Sequence, residues 1–243
     1  RYMWDLVHGD LGTSYKTRDP VGEEVWARLP NTFKLAATST IIAIVLALPL
    51  GVIAAIKQNT LFDGVSMFIS LLGISIPIFW FGLLLILLFS VTLGWFPVSG
   101  ADQGLKSLVL PSLALGFQHM AAIARTTRSS MLEQIRQDYI RTVRAKGLPE
   151  GEVITKHALR NALIPTTTVI GLQMGGMLGG SVLTESVFAW PGIGRYMVQS
   201  IQGRDIPSVM GCIIIFAISF ALINLLVDLI YGFIDPRIKA QYK

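Results

Sequence analysis

Five long runs without a charged residue decide what this chain can fold into. They hold 22, 29, 18, 23 and 22 residues, at positions 35–56, 65–93, 107–124, 162–184 and 206–227. About 20 apolar residues in a helix are enough to cross a hydrocarbon layer of about 30 Å. The runs therefore predict five membrane-spanning helices, at about residues 32–56, 65–93, 107–124, 162–184 and 206–230.

Composition argues against a soluble protein. Apolar residues make up 52% of the chain and charged residues only 14%, whereas a globular domain carries about a quarter charged residues. The net charge of +5 could suggest a nucleic acid partner. However, the Lys and Arg residues lie in segments between apolar runs, and a phosphate-binding surface gathers them on one face. We therefore expect membrane lipid and no nucleic acid around this chain.

Motifs of catalysis and cofactor binding are missing from the sequence. It contains no phosphate-binding P-loop, no G-x-S-x-G nucleophile turn and no H-E-x-x-H zinc motif. The three histidines lack the spacing of metal ligands. We therefore predict no enzyme, no catalytic residue and no metal site.

Residues 125–165 form a polar segment that predicts the orientation of the chain. The segment holds eight of the 20 Lys and Arg residues and four acids. Because basic loops stay in the cytoplasm, we expect 125–161 to lie there. Five spans then place the C-terminus in the cytoplasm, and residues 1–31 and 185–205 outside. An external start predicts one further span before Arg1, which would make six.

The same polar segment shows helical periodicity. Apolar residues recur at about every fourth position from Met131 to Val143, which predicts a helix over 130–146. Gly147 is placed to end that helix, and 152–163 is predicted as a second helix. On pattern alone, the segment is either a compact pair of short helices or an ordinary cytoplasmic loop.

Two stretches of this segment read DYIRTVRAKGL over 138–148 and HALRNALIP over 157–165. They resemble the coupling loop of ABC importer permeases, and more narrowly that of the peptide/nickel permease group. Five further stretches agree with that group: GDLGTS at 9–14, RLPNT at 28–32, FAWPGIGR at 188–195, NLLVD at 224–228 and DPRI at 235–238. The resemblance covers essentially the whole chain from Gly9 onward.

The resemblance implies an all-α integral membrane fold, the type I permease bundle of ABC importers, with residues 32–243 as the transmembrane domain. The family has six spans, the first of which would precede Arg1. The loop over 138–165 would couple the chain to a cytoplasmic ATPase. The residues implied in that coupling are Arg141, Ala145, Lys146, Gly147, Leu148, His157, Arg160 and Asn161.

The resemblance also implies the partners. They are a second, homologous permease subunit, two cytoplasmic ABC ATPase subunits and an extracytoplasmic substrate-binding protein, in a bacterial or archaeal plasma membrane. This chain would bind no cofactor, since ATP and Mg²⁺ would lie on the ATPase subunits. Dipeptides, oligopeptides, glutathione and nickel or other metal chelates are all carried by such systems, and the choice stays open here.

One departure from the broad importer pattern narrows the resemblance. That pattern reads Glu-Ala-Ala, three residues, then Gly, whereas Arg141-Thr142-Val143 precede Gly147 here. The spacing from Gly147 to Pro165 is also longer than in the broad pattern. Gly147 thus matches the glycine of the broad pattern, whereas the glutamate of that pattern is absent and its contacts are not expected here. This difference favours the peptide subgroup.

Two further sets of residues are predicted on weaker grounds. Polar and sulfur-containing residues on the glycine-rich fourth run are candidates for the translocation pathway, or else for helix packing: Gln173, Met174, Met177 and Ser181. Residues of the external loop are candidates for contact with the binding protein, or else for a structural re-entrant loop: Trp190, Pro191 and Arg195.

Two other functions remain as alternatives. A membrane scaffold subunit without a pathway of its own would show the same spans. A secondary carrier usually shows inverted repeats and ionisable residues at mid-membrane. The sequence shows no obvious repeat, and its runs are free of charge, so the permease is favoured.

Overall fold

The computed structural model describes the backbone of residues 9–234 and the side chains of that range except residues 228 and 230–234. Helices make up most of this range, and its only β-pairing is an isolated bridge between Thr13 and Pro20. The predicted all-α class is confirmed. The helices are α1 Val21–Ile56, α2 Leu61–Ser75, α3 Ile78–Leu85, α4 Leu105–Ile135, α5 Asp138–Ala145, α6 Glu150–Glu152, α7 Leu159–Val187, α8 Ile193–Gln202 and α9 Ile206–Ile234; two π-helical segments are π1 Ile86–Thr92 and π2 Val153–Ala158.

Some sequence predictions fall outside the described residues. They are the first eight residues of the predicted external segment, the DPRI stretch and the predicted cytoplasmic C-terminus, together with the side chain of Asp228 in the NLLVD stretch.

Three helices of the described range are long and apolar enough to cross a membrane: Val21–Ile56, Leu105–Ile135 and Ile206–Val227. A fourth is obtained if α2 and the α3–π1 helix are taken together as one bent span. The predicted span 162–184 lies inside α7, which has 29 residues but is not among those three. The count of five spans therefore stays a prediction.

The run at 65–93 is not one continuous helix. Ile76 and Pro77 both have extended backbone, with ψ of 125° and 133°, and they separate α2 from α3. Proline disfavours the helical conformation of the residue before it, which accounts for the break at Ile76. Pro77 precedes the first residue of α3, where its missing N–H costs no helical hydrogen bond.

The helix predicted over 130–146 is also divided. α4 continues to Ile135, the chain turns at Arg136 and Gln137, and α5 begins at Asp138. The backbone amides of these two turn residues donate to the carbonyls of Glu133 and Gln134. The apolar spacing continues across the turn, which is why it suggested a single helix.

α1 begins earlier than the predicted span. It starts at Val21, with Glu23 and Glu24 in its first turn, where acidic side chains favour a helix N-terminus. The predicted boundary between an external segment and the first span, at residues 31 and 32, therefore lies inside α1.

The chain divides into two compact units. The first comprises Arg1–Ser39, Pro77–Leu115 and Met174–Ile223. One of its apolar clusters joins the start of α1 to α8 and α9, and a second joins α3 and α4 to the end of α7. The buried residues of the two clusters are Leu11, Val21, Val25, Ile193, Cys212 and Ile215, and Leu85, Leu110, Ala114 and Phe188.

The second unit comprises Thr40–Ile76, Gly116–Gln173 and Asn224–Lys243. Its apolar cluster joins the ends of α1 and α4 to α5, π2 and the start of α7. The buried residues of this cluster are Ala55, Met131, Ile140, Val153, Ile154, Ala158 and Ala162. The polar segment found in the sequence therefore has an apolar underside and lies on this unit.

Candidate functional site

The loop from α5 to the start of α7 turns back on itself at Gly147, where φ is +78°. The Gly147 amide donates to the carbonyl of Arg144 at 2.9 Å, which closes the end of α5. A Cβ at residue 147 would meet nothing within 4 Å. The turn thus requires glycine for its left-handed backbone, which costs other residues roughly 1–2 kcal/mol, and not for lack of space. The prediction that Gly147 ends the helix is confirmed.

Three ion pairs lie on the surface of this loop: Arg141 with Asp138 at 3.3 Å, Arg144 with Glu150 at 2.6 Å and Lys156 with Glu152 at 2.6 Å. The Arg144–Glu150 pair is bidentate and bridges the Gly147 turn. Its hydrogen bonds lower the pKa of the Glu150 carboxyl, against a small opposing effect of burial. Exposed pairs of this kind contribute little stability, so their main effect is to fix side-chain directions.

A hydrogen-bond network ties α5 to the start of α7. The Tyr139 hydroxyl donates to Gln134 Oε1 at 2.9 Å and accepts a bond of 2.9 Å from Asn161 Nδ2. Next to this network lies a recess of about 580 Å³. Its lining residues are Tyr139, Glu152, Lys156, His157, Arg160 and Asn161. These hydrogen bonds hold the loop in a defined conformation at the surface, so it is a braced loop and not an irregular connection.

All eight residues predicted for coupling lie on this loop. Six are exposed: Arg141, Ala145, Lys146, Gly147, Arg160 and Asn161. Leu148 is half-buried and packs on the apolar cluster of the second unit. His157 is half-buried and lines the recess. The structure brings the eight together, and their role in coupling stays a prediction.

The residues predicted for the translocation pathway all lie on α7. Gln173 and Met174 are half-buried, whereas Met177 and Ser181 are fully buried within the chain. The Ser181 hydroxyl donates to the Leu178 carbonyl at 2.8 Å. Their part in a pathway stays a prediction.

The turn at 188–195 is anchored to α1 at Asn31. The Trp190 indole donates to the Asn31 carbonyl at 3.0 Å, and Asn31 Nδ2 donates to the Pro191 carbonyl at 3.0 Å. Trp190 is only 4% exposed, while Pro191 and Arg195 are half-buried. Trp190 thus acts as an anchor inside the protein. Contact of these three residues with a binding protein stays a prediction.

Glu185, near the end of α7, holds this turn from inside. Its side chain is completely buried, and its carboxylate accepts a bond of 2.8 Å from Thr32 Oγ1 and one of 3.0 Å from the Arg195 amide. Thr32 Oγ1 in turn accepts from the Ile193 amide at 2.9 Å. Ile193 and Arg195 belong to the first turn of α8, whose amides have no partner within the helix. The carboxylate therefore caps α8 from another helix, where a negative charge is favourable.

Two glycines leave room for that carboxylate. A Cβ at Gly192 would overlap the Glu185 carboxyl group. A Cβ at Gly194 would lie 2.6 Å from the Val182 Cα atom and 3.0 Å from Glu185 Oε2. The sequence W-P-G-I-G thus combines a buried indole with two positions at which only glycine fits against α7.

An ion pair joins α2 to α4 in the second unit. Arg128 donates two bonds of 2.7 Å to the two carboxylate oxygens of Asp63, which also accepts from the Asn59 amide at 3.0 Å. The Asp63 side chain is 9% exposed and that of Arg128 is 26% exposed. This bidentate geometry fixes the first turn of α2 against α4.

Asp205 performs a capping role at the start of α9. It accepts bonds from Ser14 Oγ, from the Tyr15 amide at 2.9 Å and from Ser208 Oγ at 2.8 Å. Burial alone would raise the pKa of this carboxyl, but these bonds outweigh it and the pKa is lowered. The G-D-L-G-T-S-Y stretch is thereby fastened to the connection between α8 and α9.

Sequence reasoning missed Glu185, Asp63 and Asp205. Glu185 carried one visible signal, a single acid at the end of an apolar, glycine-rich run and just before the W-P-G-I-G stretch. Each of the three has one partner that is distant in the chain, at separations of 153, 65 and 191 residues. In the described residues, no three His, Cys, Asp or Glu side chains group as metal ligands.

The sequence of the chain matches the model of one protein family. The model of the family described as "binding-protein-dependent transport system inner membrane component" matches residues 47–240. The chain belongs to this family. The matched range includes the loop around Gly147 and the turn at 188–195, so the family covers both candidate sites. A location in the inner membrane follows from membership of the family, while the side on which the C-terminus lies stays a prediction.

Several proteins similar to this chain are peptide permeases. The dipeptide transport system permease protein DppB of Alkalihalophilus pseudofirmus is 49% identical over 265 residues, covering 98% of this chain and 80% of that protein. DppB of Escherichia coli strain K12 is 43% identical over 268 residues, covering 98% and 79%. The oligopeptide transport system permease protein AppB of Bacillus subtilis is 43% identical over 249 residues, covering 98% and 79%. The resemblance drawn from the motifs is confirmed.

Solved structures show the same fold. An inward-facing structure of the MetNI methionine ABC transporter matches with a TM-score of 0.74 at 20% identity, covering 87% of this chain and 96% of the matched chain. An amino acid ABC transporter matches with a TM-score of 0.67 at 15% identity, covering 96% and 98%. The predicted permease fold is confirmed.

Proposed function

We propose that this chain is a permease subunit of an ATP-driven ABC importer and forms part of the translocation pathway for peptides or a related small solute. Peptide permeases at 43–49% identity over almost the whole chain support the substrate class. The observation that carries the mechanism is the braced loop around Gly147. It is exposed at its turn and anchored underneath by the apolar cluster of the second unit.

In this proposal the loop transmits force from an ATPase that this chain does not contain. ATP and Mg²⁺ bind the ATPase subunits, and their closure displaces the docked loop. A ligand shifts a two-state equilibrium only through contacts that differ between the states, and a braced element can carry such a contact. The bonds of Tyr139 and the apolar cluster beneath the loop hold it in place, while the bidentate Arg144–Glu150 pair fixes side-chain directions at the turn.

The complex proposed around this chain has the partners implied by the sequence. They are a second permease subunit, two cytoplasmic ATPase subunits and an external binding protein. The family description names a binding-protein-dependent transport system, which supports the binding protein. The basic loop and the C-terminus lie in the cytoplasm, and the turn at 188–195 lies outside. Dipeptides and oligopeptides are the favoured cargo, with glutathione and metal chelates as candidates for the same site.

Substitution of Gly147 tests the coupling. Gly147→Val is expected to abolish peptide uptake in cells and to uncouple ATP hydrolysis from the binding protein, because valine strains a left-handed backbone. The measurements are uptake of a labelled dipeptide and ATPase activity of the complex in vesicles. Membrane insertion is expected to be retained, since the residue is exposed and touches no core atom.

Gly147→Asn is the matched comparison. Asparagine adopts the left-handed conformation more readily than valine. We expect the asparagine variant to keep much of the uptake that the valine variant loses. Wild-type uptake in Gly147→Val would contradict the coupling assignment.

A second measurement separates a transporter from a scaffold. The complex in lipid vesicles is given binding protein with or without dipeptide, and ATP hydrolysis is followed. If the chain is a permease, binding protein loaded with dipeptide is expected to stimulate ATP hydrolysis several-fold. Absence of stimulation with dipeptides, oligopeptides, glutathione and nickel chelates would favour the scaffold.

A further inference from the structure

The coupling loop contains two cations for which it has no counter-charge. Residues 138–161 hold five Lys and Arg residues and three acids. Each acid is within ion-pair distance of a cation of the loop itself, namely Arg141, Arg144 or Lys156. Lys146 and Arg160 have no acidic partner in the part of the chain that the structure describes.

Arg160 lies in a recess built from polar groups. The recess of about 580 Å³ is lined by Arg160, Lys156, His157 and Asn161, with Tyr139 and Glu152. Its one carboxylate, that of Glu152, is bonded to Lys156 at 2.6 Å. The Tyr139–Asn161 bond fixes the wall beside Arg160. The recess therefore presents a guanidinium group whose planar fork suits a carboxylate.

We propose that a carboxylate side chain of the ATPase subunit enters this recess and binds Arg160, and that a second acid of the same subunit binds Lys146 beside the Gly147 turn. This inference rests on the proposed function, and it names the chemistry of the partner surface. Docking of the loop removes water from its charges, and a cation buried without a partner is strongly disfavoured. The three acids of the loop already pair with three of its own cations, so the partner supplies the acids that pair with Lys146 and Arg160.

An anionic phospholipid headgroup offers similar oxygen atoms to Arg160. The two unpaired cations lie on either side of the Gly147 turn, one directly before it and one beyond π2. A protein surface can provide acids at both positions, whereas one headgroup satisfies one of them. The pattern of two separated cations favours the protein partner.

The test measures binding of purified ATPase subunits to the permease pair in detergent. Arg160→Gln and Lys146→Gln are each expected to weaken binding about tenfold, as loss of a close interfacial charge pair does. Arg160→Lys keeps the charge and is expected to retain more of the affinity. The control is Arg136→Gln, which makes the same charge change on an exposed residue outside the recess and is expected to bind like wild type.

The outcomes separate this inference from the proposed function. If wild-type permease fails to bind the ATPase subunits at all, both are overturned. If wild type binds and Arg160→Gln binds equally well, only the acidic contact is overturned. A third outcome is that Arg160→Gln binds the ATPase subunits normally but loses ATP hydrolysis in phosphatidylglycerol vesicles and not in phosphatidylcholine vesicles. That result would identify a lipid headgroup as the group bound by Arg160. If Arg160→Glu loses ATPase binding, and an ATPase variant with one exposed acid changed to lysine restores that binding, the changed acid is the bound carboxylate.

Discussion

Replacement of Glu185 by glutamine is expected to lower the melting temperature of the permease by roughly 6–12 °C, the shift that a loss of about 3 kcal/mol produces in a chain of this size. The carboxylate accepts from Thr32 Oγ1 and from the first turn of α8 while fully buried. A glutamine offers one acceptor oxygen and turns an N–H₂ group toward those donors. Thermal unfolding of a fluorescent fusion, followed by size-exclusion chromatography, measures the effect.

Two comparison variants make this result specific. Glu185→Ala is expected to cost at least as much, because the same donors then have no acceptor at all. Glu133→Gln changes the same chemical group at an exposed position of α4 and is expected to stay within about 0.5 kcal/mol of wild type. If Glu185→Gln unfolds at the same temperature as wild type, the carboxylate does not hold the turn at 188–195.

A double-mutant cycle on Asp63 and Arg128 is the second large effect. Each alanine variant is expected to lose about 2–3 kcal/mol, somewhat less than a fully buried pair, because the Arg128 side chain is 26% exposed. The double variant is expected to lose clearly less than the sum, since each single change leaves the other charge without its partner. Unfolding in detergent, monitored for all four proteins, gives the coupling energy.

Arg128→Lys tests the geometry of that pair. Lysine keeps the charge but forms a single point contact, so about half of the loss is expected to remain. The exposed pair Arg141–Asp138, with side chains 76% and 94% exposed, is the control, and its stability cycle should give a coupling near zero. Equal coupling energies in the two cycles would mean that burial of Asp63 adds nothing.

The parts of this structure that the sequence could predict are those set by local chemistry. Long charge-free runs are found in helices because a backbone in lipid must satisfy its own hydrogen bonds. Gly147 could be placed at a turn because glycine tolerates a left-handed backbone better than any other residue. The helical spacing in 130–146 found the correct face, since Met131 is buried and Ile135, Tyr139 and Val143 pack against the cluster beneath the loop. It could not show that the chain turns between α4 and α5.

What the sequence could not show depends on contacts between distant residues. Trp190 looked like a surface aromatic, and it is an anchor because Asn31, from another helix, accepts its indole N–H. Glu185 looked like the end of an apolar run, and its partners Thr32 and Arg195 are set by the way three helices meet. The break at Ile76 is a different case, because Pro77 was visible in the sequence and proline disfavours a helical residue before it, yet the length of the charge-free run at 65–93 favoured one continuous helix.

The π-helical segment Val153–Ala158 has a consequence for how this loop tolerates changes in length. A π-helical turn accommodates more residues per turn than an α-helix and often arises where one residue has been added. Removal of a single residue within it would let α6 and α7 join as a regular α-helix. The wider i→i+5 turn already absorbs that extra residue, so the residues on its N-terminal side would keep nearly their present direction relative to α7, and Glu152 would stay on the side of the recess. This segment is therefore the place where the loop can lose one residue with the least change to the recess.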